Sequence, residues 1–269
     1  MKQNMTEQDW QNLVSSQVRD NQLYLNISYQ LKPQDAQKFS IALSNQTTLK
    51  LLYIFSNNNQ FQDQGISFLA EKGLKNLLNL QELYLDLSEN GFSEAGATSL
   101  SFGLGQKLKI LELNLFSNRI GDTGLRNLSK GFEQNQSLQK LSLILDQTSL
   151  SGQAISDIGS SLQKLPNLQG LKLGLSYNNI NDQGITKFGK SLELCQNLQS
   201  LNVKLEANQI KFEGEQNLSK SLKNCSQLRT VDIQLEFNAV TIVQRKLFNQ
   251  MLMKSNSLIK YQVVSVIPM

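Results

Sequence analysis

The chain has 269 residues, with 26 basic and 22 acidic side chains, two cysteines and no histidine. Those counts exclude a His-based catalytic triad, a histidine zinc ligand and an imidazole switch near neutral pH, and two cysteines make neither a disulfide framework nor a four-thiolate metal site. Residues 241–269 hold Arg245, Lys246, Lys254 and Lys260 and no acid, so the first 240 residues carry 22 charges of each sign, without the basic excess that general nucleic-acid binding uses to displace counterions.

At the N-terminus, MKQNMTEQDW lacks the apolar core of a signal peptide, and no stretch reaches the 18 apolar residues of a membrane span. The expectation is a reduced, cytoplasmic protein with neither nucleic acid nor membrane as partner. Residues 6–18, TEQDWQNLVSSQV, read as a short amphipathic cap helix, with Trp10 covering the first structural unit of the chain.

From there the chain repeats itself. Segments starting at Leu49, Leu80, Leu108, Leu138, Leu168, Leu198, Leu228 and Leu258 are spaced by 31, 28, 30, 30, 30, 30 and 30 residues. Their common pattern is L-x-x-L-x-L-x-L-x-x-N-x-I, clearest in LQGLKLGLSYNNI from Leu168 to Ile180, and the segment from Leu258 lacks its asparagine. Leu171, Leu173 and Leu175 alternate with Lys172 and Gly174, the period of two that marks a strand with one buried face. The next column is Asn59, Asn90, Asn118, Thr148, Asn178, Asn208 and Asn238. It falls where the chain turns out of the strand, and an amide there both donates to and accepts from loop backbone, a task that threonine performs in part. Six residues on, Gly65, Gly96, Gly124, Ala154, Gly184 and Gly214 form a small-residue column, read as close packing because alanine is accepted. Apolar residues follow at spacings of three and four, as in Leu128 with Phe132 and Phe188 with Leu192, which predicts a helix.

This strand, turn and helix unit resembles the leucine-rich repeat of the ribonuclease-inhibitor type over residues 20–267, in a 30-residue variant with two extra strand residues like that of ciliate leucine-rich-repeat proteins. The resemblance implies an α/β fold: a right-handed solenoid with a concave parallel β-sheet and convex helices, in one domain over residues 1–269. Its parts are an N-terminal cap at 1–19, repeats over 20–257 and a C-terminal capping strand at 258–269, with nine strands in all. Phe248 and Leu252 continue the helix columns of the last full repeat.

Three patterns suggest chemistry. GITKFGKS, from Gly184 to Ser191, matches the phosphate-loop pattern, yet its residues occupy repeat columns already assigned to a helix, so no nucleotide, and no cofactor, is expected. Cys195 and Cys225 share a column thirty residues apart and read as structural. Glu206 and Glu236 share an outward column and read as a solvated acidic ridge, since an open sheet offers no dry pocket to raise one carboxyl pKa.

No catalytic residue is therefore assigned, and the outward strand residues become the candidate partner-binding face: Tyr53, Phe55, Tyr84, Asp86, Phe116, Asp146, Lys172, Lys204, Glu206, Asp232 and Glu236. The expected function is a non-enzymatic protein-interaction scaffold, alone or as a subunit of a larger assembly. The resemblance also admits a GTPase-activating protein of the Ran-activating type or a ubiquitin-ligase substrate-recognition subunit. Against these, the tail is basic and only about 20 residues precede the first strand. With no Pro/Gly/Ser-rich linker in the register, limited proteolysis is expected to leave one protected core, and release of two stable halves would refute the single-domain expectation.

Overall fold

The computed structural model describes residues 5–27, 30–241, 243–244 and 260–262. It divides into two compact units, Met1–Leu138 and Gln139–Met269.

The first unit opens with α1 (Glu7–Gln17), whose start is fixed by a capping box: the Asp9 N–H donates to Thr6 Oγ1 at 3.2 Å and the Thr6 N–H donates back to Asp9 Oδ2 at 2.9 Å. Trp10 and Val14 are fully buried, and the Trp10 ring lies 5.4 Å from Phe39 at 60°. The expected cap helix is thus present, seated on the first repeat helix. Strands β1 (Gln22–Asn26), β2 (Leu51–Phe55), β3 (Glu82–Asp86) and β4 (Ile110–Asn114) pair in chain order, every pairing parallel. Helices α2 (Pro33–Ser44), α3 (Gln62–Phe68), α4 (Glu94–Ser101) and α5 (Gly121–Glu133) alternate with them. After α3 the chain passes through a π-turn at Leu69–Gly73 and a 3₁₀ turn at Leu74–Asn76.

The second unit repeats the scheme. Strands β5 (Lys140–Ile144), β6 (Gly170–Gly174), β7 (Ser200–Lys204), β8 (Thr230–Gln234) and β9 (Lys260–Gln262) are again parallel and in chain order. Between them run α6 (Gly152–Leu162), α7 (Asp182–Glu193) and α8 (Phe212–Asn224). Phe248 and Leu252 lie outside the described residues, as does the expected capping strand apart from β9.

In both units the core lies between sheet and helices. The inward strand pairs, such as Leu83 with Leu85 and Leu171 with Leu173, meet Leu100, Leu128, Ile158 and Phe188 from the helices, all at most 3% exposed. Burying each such side chain contributes about 1.5–3 kcal/mol. The fold is α/β, with parallel strands alternating with helices in each unit. Strands β1–β8 are five residues long, so the third leucine of the pattern lies just past the regular strand. Leu175 is still buried, and its N–H adds one more rung by donating to Lys204 O at 2.9 Å.

The turn out of the strand is made by the residue before the asparagine. Asn58, Glu89, Ser117, Gln147, Tyr177, Ala207 and Phe237 all have φ between 52° and 57°, left-handed positions occupied without a single glycine. Each such residue costs about 1–2 kcal/mol. The cost is offset where the turned N–H reaches the next repeat, as when Gln147 donates to Ser176 O at 3.1 Å and Tyr177 to Glu206 O at 2.9 Å. The asparagine then secures the buried backbone around it. Asn178 Nδ2 donates to Leu145 O at 2.9 Å and Leu175 O at 3.1 Å, while its Oδ1 accepts from the N–H groups of Thr148 at 3.2 Å and Leu150 at 2.9 Å. Asn118 does the same for Leu87 and Asn90 in the first unit. Thr148 retains one part of the task, donating from Oγ1 to Leu145 O at 2.5 Å.

The small-residue column is close packing. A Cβ on Gly184 would strike the backbone of Gly152, and one on Gly124 would lie 3.0 Å from Glu94 Cα. Replacing Asn178 with alanine strands the buried N–H groups of Thr148 and Leu150, and a loss of about 2–4 kcal/mol in urea unfolding is expected. Asn179→Ala, at an exposed neighbour, should stay within about 0.5 kcal/mol of the parent.

Candidate functional site

The register of the first unit sets the outward side chains of β1–β4 in rows. One row runs Tyr24, Tyr53, Tyr84, Glu112, and the next runs Asn26, Phe55, Asp86, Asn114. The rings of the first row stack: Tyr24 to Tyr53 at 5.8 Å and 17°, Tyr53 to Tyr84 at 4.4 Å and 8°, with Phe55 tilted against Tyr53 at 4.9 Å. Rings on adjacent parallel strands take the strand spacing of roughly 4.8 Å, which suits stacked aromatics and holds them in place before any partner arrives. Two phenols lean back along their own strands, Tyr24 onto Gln22 Oε1 at 3.3 Å and Tyr84 onto Glu82 Oε2 at 3.1 Å. Tyr24 is 54% exposed and Phe55 43%, so the ladder ends in open surface.

The ladder brings together Tyr53, Phe55 and Tyr84. Asp86 stands beside it and uses Oδ1 to accept from the Ser88 N–H at 3.1 Å and hydroxyl at 2.6 Å. Phe116 lies beyond β4, half-buried, and takes no part in the stack. Tyr24 was missing from the sequence-derived face, although Leu23 and Leu25 turn inward on either side of it and the period of two places it outward.

In the second unit several of the corresponding residues bond to one another, although Asn202 Oδ1, Asp232 Oδ1 and Glu236 Oε1 are buried without a hydrogen-bond partner. Asp146 Oδ1 accepts from the Ser176 N–H at 2.9 Å, the Ser176 hydroxyl donates to Glu206 Oε2, and Asn202 Nδ2 donates to Asp232 Oδ2 at 2.7 Å. The Asp146 carboxylate lies over Gly174, where any Cβ would strike it. Lys172 is exposed and Lys204 half-buried. The expected solvated acidic ridge needs correction: Glu236 is only 6% exposed and Glu206 is half-buried, its carboxylate taken by Ser176. Both glutamates follow the end of the regular strand, where strict in-and-out alternation no longer holds.

The GITKFGKS segment lies inside α7, and the Gly184 N–H donates to Asn181 Oδ1 at 3.0 Å. A phosphate loop needs such amides unengaged in a loop that leaves a strand directly. A hollow of about 190 Å³ beside it, lined by Gly152, Asn181, Gly184 and Lys187 among others, is shallow and polar. Burial raises the Cys195 thiol to about 11 and the Cys225 thiol to about 12, so both are largely protonated near neutral pH. Each sulfur lies 3.5 Å from a carbonyl one helical turn back, a packing arrangement. Among the described residues no group of three or more Cys, Asp or Glu is placed to hold a metal ion, and no helix is long and apolar enough to cross a membrane.

Burial, then the hydrogen bond to Glu82 and the charges of Glu82 and Glu112, push the Tyr84 phenol well above its ordinary value of 10.0. A phenol whose pKa is raised on folding contributes stability below about pH 10 and loses it as pH climbs further. The melting temperature should therefore fall more steeply above pH 10 in the parent than in Tyr84→Phe, and parallel curves would refute the shift.

The leucine-rich-repeat family model matches residues 106–129 and 171–189. No curated protein matches the sequence. Among solved structures, a chain of the yeast Rad7–Elc1 complex is similar with a TM-score of 0.51 at 15% identity, the match covering 96% of this chain and 63% of that one. The chain thus spans less than two thirds of that neighbour's length. The actin-binding site 2 of leiomodin-1 matches 49% of this chain and 71% of its own at 16% identity, with a TM-score of 0.35. The two matched segments carry leucine-rich repeats, and the chain has the α/β fold of leucine-rich-repeat structures.

Proposed function

We propose that the chain is a non-enzymatic scaffold of the ribonuclease-inhibitor-like repeat type, which binds a protein partner on the outward face of its strands. The observation that carries this is the stacked row Tyr24, Tyr53 and Tyr84 on an open sheet face. Rings held rigid before binding lose little conformational freedom when a partner covers them, and tyrosine is among the residues that dominate binding energy at interfaces. The fold neighbour is itself part of a complex of two proteins, Rad7 and Elc1, which agrees with an interaction role. A buried and a half-buried free thiol, both with raised pKa values, suit a reducing compartment, and we place the protein in the cytoplasm.

The test is crosslinked affinity capture from native lysate with the full chain as bait. Tyr53→Ala combined with Tyr84→Ala should lower recovery of the specific partner about tenfold or more while the circular dichroism melt stays cooperative. Lys190→Ala, on the exposed side of α7, should leave recovery unchanged. The reverse pattern would move the interface to the helices and refute the sheet-face reading.

A further inference from the structure

The outward face of β1–β4 has twelve positions, and its chemistry is one-sided. Ahead of the two rows already described runs a third, Gln22, Leu51, Glu82 and Ile110. The face thus holds four aromatic rings and three carboxylates, those of Glu82, Asp86 and Glu112, with no lysine or arginine, although the chain as a whole carries +4. A neutral or acidic partner would cover these carboxylates without compensating their lost hydration. A cationic segment compensates them.

The stack also stops one strand short. Tyr53 covers one face of the Tyr84 ring, at 4.4 Å and 8°, which leaves the opposite face turned toward β4. There the register puts Glu112, exposed, in place of a fourth ring. A planar cation laid on Tyr84 would continue the stack as its fourth member and meet a carboxylate at its edge. Guanidinium has both properties: it is planar, weakly hydrated and stacks on aromatic faces, and its N–H groups match a carboxylate in pairs. An ammonium is a compact, strongly hydrated point charge that neither stacks nor binds in two-pronged fashion.

We propose that this row is the docking site for an arginine in a basic segment of the protein partner, with the guanidinium stacked on Tyr84 and its edge bound by Glu112. This rests on the scaffold reading and adds the chemistry of what is bound. Asp86 and Glu82 flank the row and favour further positive charge on either side, so association slows as salt rises.

The probes are three fluorescein-labelled Gly/Ser peptides of equal length carrying arginine, lysine or citrulline, titrated into the full chain by fluorescence anisotropy. The arginine peptide should bind tightest, the lysine peptide more weakly, and the citrulline peptide, flat but uncharged, least of all. Tyr84→Ala and Glu112→Gln should each weaken the arginine peptide roughly 5- to 30-fold. Tyr84→Phe, which keeps the ring face and protects the fold, should stay within about twofold. Glu206→Gln in the second unit should change nothing. Arginine bound no better than citrulline or lysine, no binding of the arginine peptide, or equal effects of Glu112→Gln and Glu206→Gln would overturn the proposal. If it fails while the Tyr53→Ala, Tyr84→Ala pair still abolishes partner capture, the arginine assignment falls and the scaffold reading stands; if the pair leaves capture intact as well, both fall.

Discussion

A buried asparagine amide shared between neighbouring repeats is the constraint on which the rest of the structure depends. A parallel sheet built from consecutive repeats brings the chain out of every strand at the same depth, under the same apolar cover. Water does not reach the backbone there, so every N–H and C=O needs a protein partner. Asn118, Asn178 and Asn208 provide one, each with two donors and an acceptor placed among the carbonyls and amides of two successive turns. Without that amide, the left-handed residue before it would turn the chain into an unsatisfied pocket, and the leucines behind could not be sealed.

The two units use their outward residues differently. In the second, Asp146, Ser176 and Glu206 are bonded to one another and Asp232 Oδ2 accepts from Asn202, while Asn202 Oδ1, Asp232 Oδ1 and Glu236 Oε1 are buried without a hydrogen-bond partner. A new partner at Asp146, Ser176 or Glu206 would have to compete with interactions already made. In the first, the ring faces of the tyrosine row have no such internal claim beyond each other, and their order comes from stacking and strand register. Order without saturation is what makes a surface ready to bind.

Much of this was legible in the residues. Period-two leucines located the strands, the asparagine column located the turns, and Gly184 facing Gly152 is the close approach that a glycine column implies. Other features left weaker traces. The left-handed column holds Asn, Glu, Ser, Gln, Tyr, Ala and Phe, so no residue preference announces it, because hydrogen bonding across repeats enforces the conformation. Glu236 is misplaced by simple alternation because it follows the end of β8. Gly174 did carry a signal: a glycine at an outward strand position marks something lying close above it, here the Asp146 carboxylate. Tyr24 was within reach of the same alternation that placed Tyr53 and Tyr84, in a first repeat that lacks the asparagine.

The direction of the amide contacts gives the molecule a temporal order. Asn178 serves Thr148 and Leu150, residues made 30 and 28 positions earlier, and Asn208 likewise serves Ile180. The N–H groups of Gln147 and Tyr177 also point forward, to carbonyls of the repeat still to come. These turns are closed only in part by their own repeat, and their N–H groups are satisfied by the successor. On a ribosome that releases the N-terminus first, closure trails elongation by one repeat, about 2–6 s at ordinary rates of synthesis. Throughout that interval the newest repeat has its leucines in place and its backbone open, and the growing end of the chain is always the part least finished.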